Sequence, residues 1–427
     1  MVERHTMRVL HVSTFESSGG AARAAHGLHV GLVAEGVDSH MLVRERQSDD
    51  PRVCVATPNE VDAGAWREIA LHWIHNNRTA LSNTFFSTGF AGIAAADHPL
   101  VRSADVINLH WIPGLIDPRG IGELLALGKP VVWTVHDEWA YSGGCHYASG
   151  CEQWRHSCRE CPQLASDPHG LVSAIFQEKL TQYARGPLTV VAPSVWLAER
   201  VRASALLRGS QVEVIPYGVD LDVFTPARRD EGRARLGVQP DEAVILFSAD
   251  AAGERRKGFE ELCAALELVR AQLNALGSLA SPVRLVVLGN VDRVQLPEGT
   301  LATGRLFSRT ELASVVAGSD LYVLPSLEDN LPNGVLEALA CGTACAAFTV
   351  GGVPDMLAHA PISYLAPMGD VAALAGAMVR AVHDLPTLRT RRADLREHAL
   401  KHYALSHQAR SYMKLYSALL AESLTAA

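Results

Sequence analysis

The 427-residue sequence has no basic excess, no long apolar run and few aromatic residues. Lys and Arg number 38 against 46 Asp and Glu, a formal charge of −8, and aromatics make up only 6%. Neutralising the phosphates of a nucleic acid takes a dense basic face, so a nucleic-acid coat is excluded. No stretch of about 18 consecutive apolar residues occurs, which argues against a membrane span and leaves at most peripheral membrane contact. The opening segment MVERHTMRVLHVST shows no apolar h-region before its first strand-like run, so no secretory signal is expected. Eight cysteines in such a chain should be reduced unless they bind something. The expectation is a soluble, cytoplasmic protein. With 48% hydrophobic and 20% charged residues, the chain is neither a disordered tail, a collagen-like repeat nor a disulfide miniprotein. At roughly 100–200 residues per domain, its length suggests two or three domains with cores of their own.

Short β-branched runs alternate with longer Ala/Leu-rich segments. Strands are predicted at Arg8–Ser13, His40–Val43, Val106–His110, Val131–Val135, Thr189–Ala192 and Val212–Ile215. A second series follows at Val244–Ser248, Arg284–Leu288, Leu321–Leu324, Ala344–Phe348 and Ser363–Leu365. Near-continuous apolar runs such as Val131–Val135 fit strands buried on both faces, in parallel sheets covered by helices. Strand–helix alternation over this length gives an α/β class with two doubly wound sheets. The turn-rich segment Pro216-Tyr217-Gly218-Val219-Asp220 places the boundary near residue 220, giving domains 1–220 and 221–400. Residues 401–427 carry Ala409, Tyr412, Met413, Tyr416, Leu419 and Leu420 at helical spacing, with Ser406 as the expected N-cap. That amphipathic helix is expected to return to the first domain.

One stretch combines several chemical signals. The predicted strand Leu321–Leu324 runs into Pro325-Ser326, a polar loop with Asp329, Asn330, Leu331 and Asn333, and a helix closed by Gly342. Ligands of open α/β sheets bind beyond the carboxyl ends of the strands, which is where this loop lies. Asn333 is expected to cap the helix, whose N-terminus favours an anion such as phosphate. Glu337, eight residues after Asp329, is placed to accept both hydroxyls of a ribose. The plainer alternative is a carboxylate complementing the helix dipole beside a solvated loop charge.

The stretch resembles the E-x7-E signature of retaining glycosyltransferases of family 4, which have the GT-B fold of two Rossmann-like domains facing an interdomain cleft. It is most similar to the branch whose loop reads ENLPN, with Asp329 matching the first Glu and Glu337 the second. Five further motifs match in order: Gly19-Gly20-Ala21-Ala22-Arg23, Thr134-Val135-His136-Asp137, the Pro216–Asp220 linker with Phe224 and Pro226, Glu254-Arg255-Arg256-Lys257-Gly258-Phe259, and Gly351-Gly352-Val353-Pro354. The resemblance implies an acceptor-side first domain and a nucleotide-sugar-binding second domain. The implied reaction is transfer of a hexosyl unit from a nucleotide diphosphate sugar, most often a UDP-sugar, to a hydroxyl. Acceptors in such chains are saccharides, lipid-linked saccharides or small natural products.

The resemblance also assigns roles. Lys257 with Arg255 or Arg256 would hold the diphosphate, stabilising the departing charge without a catalytic metal. Three basic residues in a row otherwise read as a solvated turn. Asp329 would contact the donor sugar, with Asn330, Leu331 and Asn333 in the loop around it. His136 would bond a hydroxyl of the donor sugar, where a lone His is otherwise structural. Gly19 and Gly20 would let backbone approach the phosphates, or simply turn a strand into a helix. No covalent nucleophile is expected. The glycine loop lacks a G-x-G-x-x-G fingerprint, which argues against an NAD-dependent oxidoreductase. A non-catalytic nucleotide-sugar-binding module and a GT-B phosphorylase or epimerase stay open as rivals.

Half of the cysteines fall in residues 143–163, as Cys145, Cys151, Cys158 and Cys161 with spacing C-x5-C-x6-C-x2-C. Four thiolates in one Gly-rich loop fit a closed tetrahedral structural zinc, with His146 and His156 as spare ligands. Two disulfides, unligated thiols and an iron–sulfur cluster are the alternatives. Cys54, Cys263, Cys341 and Cys345 read as core.

Overall fold

A computed structural model describes residues 6–56, 70–89, 92–275, 283–292 and 294–426. The chain divides into two units, one of Met1–Tyr217 with Ser406–Ala427 and one of Gly218–Leu405. Each holds one wholly parallel sheet among the described residues.

The first unit contains β1 (Arg8–Phe15), β2 (Asp38–Glu45), β3 (Val53–Val55), β4 (Val106–Leu109), β5 (Val131–Thr134), β6 (Thr189–Ala192) and β7 (Gln211–Val214), in the order β3-β2-β1-β4-β5-β6-β7. The strand direction of winding reverses between β1 and β4, the switch point at which open α/β sheets form crevices. β4, β5 and β6 are buried along their whole length, as their apolar runs require. The last helix, Leu405–Ala426, closes one face of this sheet. Its Ala409, Tyr412, Tyr416 and Leu419 pack against Val9, Val106, Val132 and Val191. Each fully buried large side chain contributes roughly 1.5–3 kcal/mol of transfer free energy. Two buried hydroxyls fix the helix in register: Asn108 Nδ2 donates to Tyr416 Oη at 2.7 Å, and Tyr412 Oη lies 2.9 Å from Thr134 Oγ1. Ser406 lies inside this helix and does not cap it, because the helix already starts at Leu405.

The second unit contains β8 (Ala243–Ala251), β9 (Val283–Asn290), β10 (Leu301–Gly304), β11 (Leu321–Leu324), β12 (Ala344–Phe348) and β13 (Ser363–Ala366), in the order β10-β9-β8-β11-β12-β13. Its switch point lies between β8 and β11. At the amino end of that strand pair, buried Asp320 accepts Val244 N at 3.0 Å and pairs with Arg229 at 2.6 Å, Arg389 at 3.0 Å and Arg233 at 3.4 Å. Burial opposes its ionisation, yet Arg389 and Arg229 hold its carboxyl below the ordinary range. The opposite, carboxyl end of the same two strands is left for other chemistry. No helix among the described residues is long and apolar enough to cross a membrane. Cys341 and Cys345 are buried, Cys54 is partly buried and packs against the core of the first unit, and Cys263 is only partly buried.

Candidate active site

In the second unit, the loops leaving β8 and β11 meet. After β8 the chain makes a single 3-10 turn, Arg255–Lys257, closed by Gly258 in the left-handed region at φ +70°. A Cβ at Gly258 would fall 1.8 Å from the carbonyl oxygen of Pro325, so glycine is what lets the basic turn lie against the β11 loop. Backbone ties the two further: Leu327 N donates to Arg256 O at 2.7 Å, and Arg256 Nη1 donates to Glu328 O at 3.3 Å.

The turn's side chains part company. Lys257 Nζ sits 2.6 Å from Asp329 Oδ2, with Arg256 Nη1 at 3.4 Å from the same oxygen. Arg256 also pairs with Glu254 at 2.7 Å. Arg255 turns to Glu261, six residues on in the first turn of the next helix, at 2.6 and 2.9 Å. Asp329 is buried, and Asn330 N donates to its Oδ1 at 3.1 Å. Burial opposes its ionisation, but Lys257 and then Arg256 hold its carboxyl below the ordinary value. The pair therefore forms a charged, mostly dehydrated knot at the switch point, of the kind that a polyanion can enter by sharing the cations.

Around this knot the loop is tightly backed. Gly352 N donates to Asn330 O at 2.7 Å, and a Cβ at Gly351 (φ +52°) would lie 1.6 Å from Asp329 O. Leu331 is buried beside it. The helix Asn333–Ala340 starts at Asn333 itself, with Pro332 in the flanking position. The expected Asn333 cap is thus not formed: Pro332, extended at ψ 117°, takes the N-cap place and has no side-chain acceptor to offer. Glu337 lies on this helix, nearly buried, close enough to Tyr322 for its charge to help raise that phenol. Tyr322 itself meets Ser248 at 3.1 Å, and a Cβ at Gly334 would strike its hydroxyl at 2.2 Å.

In the first unit, Gly19 (φ +86°) precedes the helix Gly20–Ala34 directly after β1, with no side chain capping that helix. His136 follows β5. Its Nε2 lies 3.1 Å from His110 Nδ1, and its Nδ1 lies 2.6 Å from Tyr217 Oη. His110 continues the row to His11 at 2.9 Å. Burial pushes the His136 imidazole down to about 4 and holds His110 and His11 well below 6.5, so the row is neutral near pH 7. Both ring nitrogens of His136 thus have partners within the protein, which its position in the sequence did not show. Asp137 next to it is fully engaged: Trp111 Nε1 donates at 2.9 Å, Trp139 N at 2.9 Å, and His146 Nδ1 lies at 2.6 Å. His110 and Tyr217 escaped sequence reasoning, although one ends a predicted strand and the other lies in the Pro216–Asp220 motif.

The Cys loop packs beneath this edge of the first unit. Cys145, Cys151, Cys158 and Cys161 are all free thiols and line a single cavity with Phe86, Trp154 and Val172. His146 is taken by Asp137 and by Ser87 at 2.8 Å, and His156 is exposed, so neither joins the sulfurs. Among the described residues, no group of three or more His, Cys, Asp or Glu already stands in an arrangement that could hold a metal ion.

Comparison with known proteins agrees with this geometry. Residues 18–223 match the family model "Glycosyltransferase Family 4" and residues 242–384 match "Glycosyl transferases group 1". The chain is 33% identical over 358 residues to the 2-deoxystreptamine N-acetyl-D-glucosaminyltransferase of Streptomyces fradiae, covering 75% of this chain and 77% of that protein. It is 26% identical over 364 residues to WcaC of Escherichia coli K12, provisionally named a colanic acid biosynthesis glycosyl transferase, covering 79% and 82%. Among solved structures, Anabaena Alr3699/HepE, in complex with UDP and glucose, superposes with a TM-score of 0.60 at 15% identity, covering 96% of this chain and 99% of that one. Two parallel-sheet units, the order of their motifs and these relatives converge: the chain belongs to the family 4, group 1 glycosyltransferases and is a glycosyltransferase enzyme of the GT-B fold.

Proposed function

We propose that this enzyme transfers a hexosyl unit from a UDP-sugar, with retention of configuration, to a hydroxyl of a saccharide, lipid-linked saccharide or small natural product. The observation that carries the donor assignment is the Lys257–Asp329–Arg256 knot at the switch point of the second sheet. The UDP bound by the Anabaena protein supports the choice of nucleotide.

In this reading Lys257 and Arg256 take the diphosphate. As the glycosyl–phosphate bond breaks, negative charge grows on the leaving oxygen, and two cations already fixed in a dry setting stabilise it without reorganising. Arg255, drawn to Glu261, plays the lesser part. Asp329 accepts from donor-sugar hydroxyls and Glu337 from the ribose, with Asn330, Leu331 and Asn333 shaping the loop. In the first unit, Gly19 and Gly20 would offer backbone N–H groups to a phosphate, and neutral His136 would exchange its His110 or Tyr217 partner for a sugar hydroxyl. The acceptor oxygen attacks from the face the diphosphate leaves, and its proton passes to that diphosphate. The protein supplies position and charge, so no nucleophile is required.

The test is a thermal-shift panel of UDP-, GDP- and dTDP-sugars on purified protein, followed by donor turnover. Glu337→Gln is expected to leave the fold intact and raise the donor KM about ten- to a hundredfold, the loss of one or two hydrogen bonds to a charged group. Binding of no nucleotide sugar, or an unchanged KM in that variant, overturns the proposal.

A further inference from the structure

We propose that Cys145, Cys151, Cys158 and Cys161 form a tetrathiolate zinc site that holds together the loop of residues 143–163. It stands apart from the donor chemistry and does not rest on the UDP-sugar reading.

Four observations carry it beyond the spacing of the cysteines. The first is the cavity. Residues far apart in the loop bring all four cysteines to the lining of one partly open cavity of about 20 Å³. Its other walls, including Phe86, Trp154 and Val172, are apolar, so water has few partners there while a soft cation has four sulfurs.

The second is the direction of the surrounding backbone. Gln153 N donates to Cys151 Sγ at 3.4 Å. The N–H groups of Gln163 and Leu164 point to the Cys161 sulfur, and that of Gly143 to Cys158. N–H groups aimed at sulfur favour the charged thiolate, the form that ligates metal, against the burial that pushes all four thiols up while no ion shares their charge.

The third is charge. Lys179, fully buried, donates to the carbonyls of Trp139 and of Ser142, the latter at 3.0 Å, and lies over the Trp139 ring. Arg78 donates to the carbonyls of Ser82 at 2.7 Å and Thr84 at 2.9 Å, and to Gln163 Oε1 at 3.0 Å. Neither makes an ion pair with a carboxylate among the described residues. Both act electrostatically on Cys145, with Lys179 also on Cys158 and Arg78 on Cys161. Four thiolates on one Zn²⁺ carry two negative charges, which the buried Lys179 and the half-buried Arg78 partly offset, beside Asp137 and Glu138, whose charges also reach Lys179 and Cys145.

The fourth is strain. Cys158 and Ser149 are the described non-glycine residues with positive φ, at 47° and 51°, and both lie in this loop. A left-handed cysteine costs roughly 1–2 kcal/mol and persists where something else fixes it. It opens the Cys158-x-x-Cys161 turn, and both residues line the cavity. The sulfurs now ring the cavity without meeting at a point. Closing them on an ion at about 2.3 Å takes side-chain rotation into that space.

The full chain, purified without a metal-binding tag, is analysed for metal by mass spectrometry and for disulfides by intact mass after thiol blocking. About one zinc per chain is expected, with the four thiols protected until a mercurial displaces the metal and releases zinc in proportion. Growth with cobalt in place of zinc should give thiolate-to-metal charge-transfer and tetrahedral d–d absorption. Cys158→Ser and Cys161→Ser should each lower zinc content severalfold. The wild-type measurements decide the matter even where those variants do not fold. Absence of metal, a pair of disulfides, or iron with sulfide instead of zinc each overturns the assignment.

Discussion

Replacing Asp329 by Asn tests the knot at the second switch point with an almost isosteric change. The substitution leaves Lys257 and Arg256 without their shared carboxylate, although their side chains are only 17% and 15% exposed. Breaking a buried pair by removing one partner costs about 3–5 kcal/mol. Some water reaches the cations and Arg256 keeps Glu254, so the cost falls to or just below the low end, about 2–3 kcal/mol. For a unit of this size each kcal/mol moves the midpoint roughly 2–4 °C, so calorimetry should show a fall of roughly 5–10 °C. Adding UDP separates the roles. With no internal carboxylate competing for the cations, UDP should raise the midpoint of Asp329→Asn by more than it raises that of the wild type. A UDP-sugar should then add nothing over UDP in the variant, because its sugar contact is gone. A variant that melts like the wild type, or gains less from UDP, refutes the reasoning.

Other outcomes follow from the same coordinates. Gly351→Ala should abolish UDP binding by titration calorimetry and cost several kcal/mol in stability, since its Cβ would sit 1.6 Å from Asp329 O. Gly369→Ala, with φ +75° but nothing within 4 Å, should cost only about 1 kcal/mol of backbone strain, and equal effects would sink the comparison. Acid should destabilise the first unit through its histidines. The unfolded chain takes up a proton at His136 near pH 6.5 and the folded one only near 4, so stability is present above 6.5 and is lost as pH falls toward 4. His136 alone accounts for up to about 3 kcal/mol across that window. Urea midpoints should drop between pH 7 and 5 and flatten in His136→Asn; parallel slopes in the two proteins would show the row carries no such linkage.

The central strands were legible because their burial leaves a mark. Val131–Trp133 and Leu321–Leu324 are near-continuous apolar runs, as strands covered on both faces must be. β3 and β10 were not foreseen: each is a short edge strand with only partial burial, so neither needs an apolar run. In the candidate site, the sequence placed Lys257 after one predicted strand and Asp329 and Glu337 after another, and the structure brings the loops leaving β8 and β11 together, since chain order fixes which strands they follow. Which of two adjacent arginines faces Asp329 depends on the phase of a 3-10 turn and on Glu261 seven positions beyond Glu254, and neither shows in a basic run. The row from His11 to Tyr217 joins four separate segments, so only the assembled sheet reveals it.

The helix Leu405–Ala426 has a consequence for biosynthesis. The first sheet leaves the ribosome long before the residues that cover its face, because the whole of Gly218–Leu405 is made in between. At about 5–20 residues per second the delay is roughly 10–40 s. During it Val9, Val106, Val132 and Val191 lack their partners Tyr412 and Tyr416, while the second unit can already form its own core. The half of the enzyme that starts first therefore finishes last.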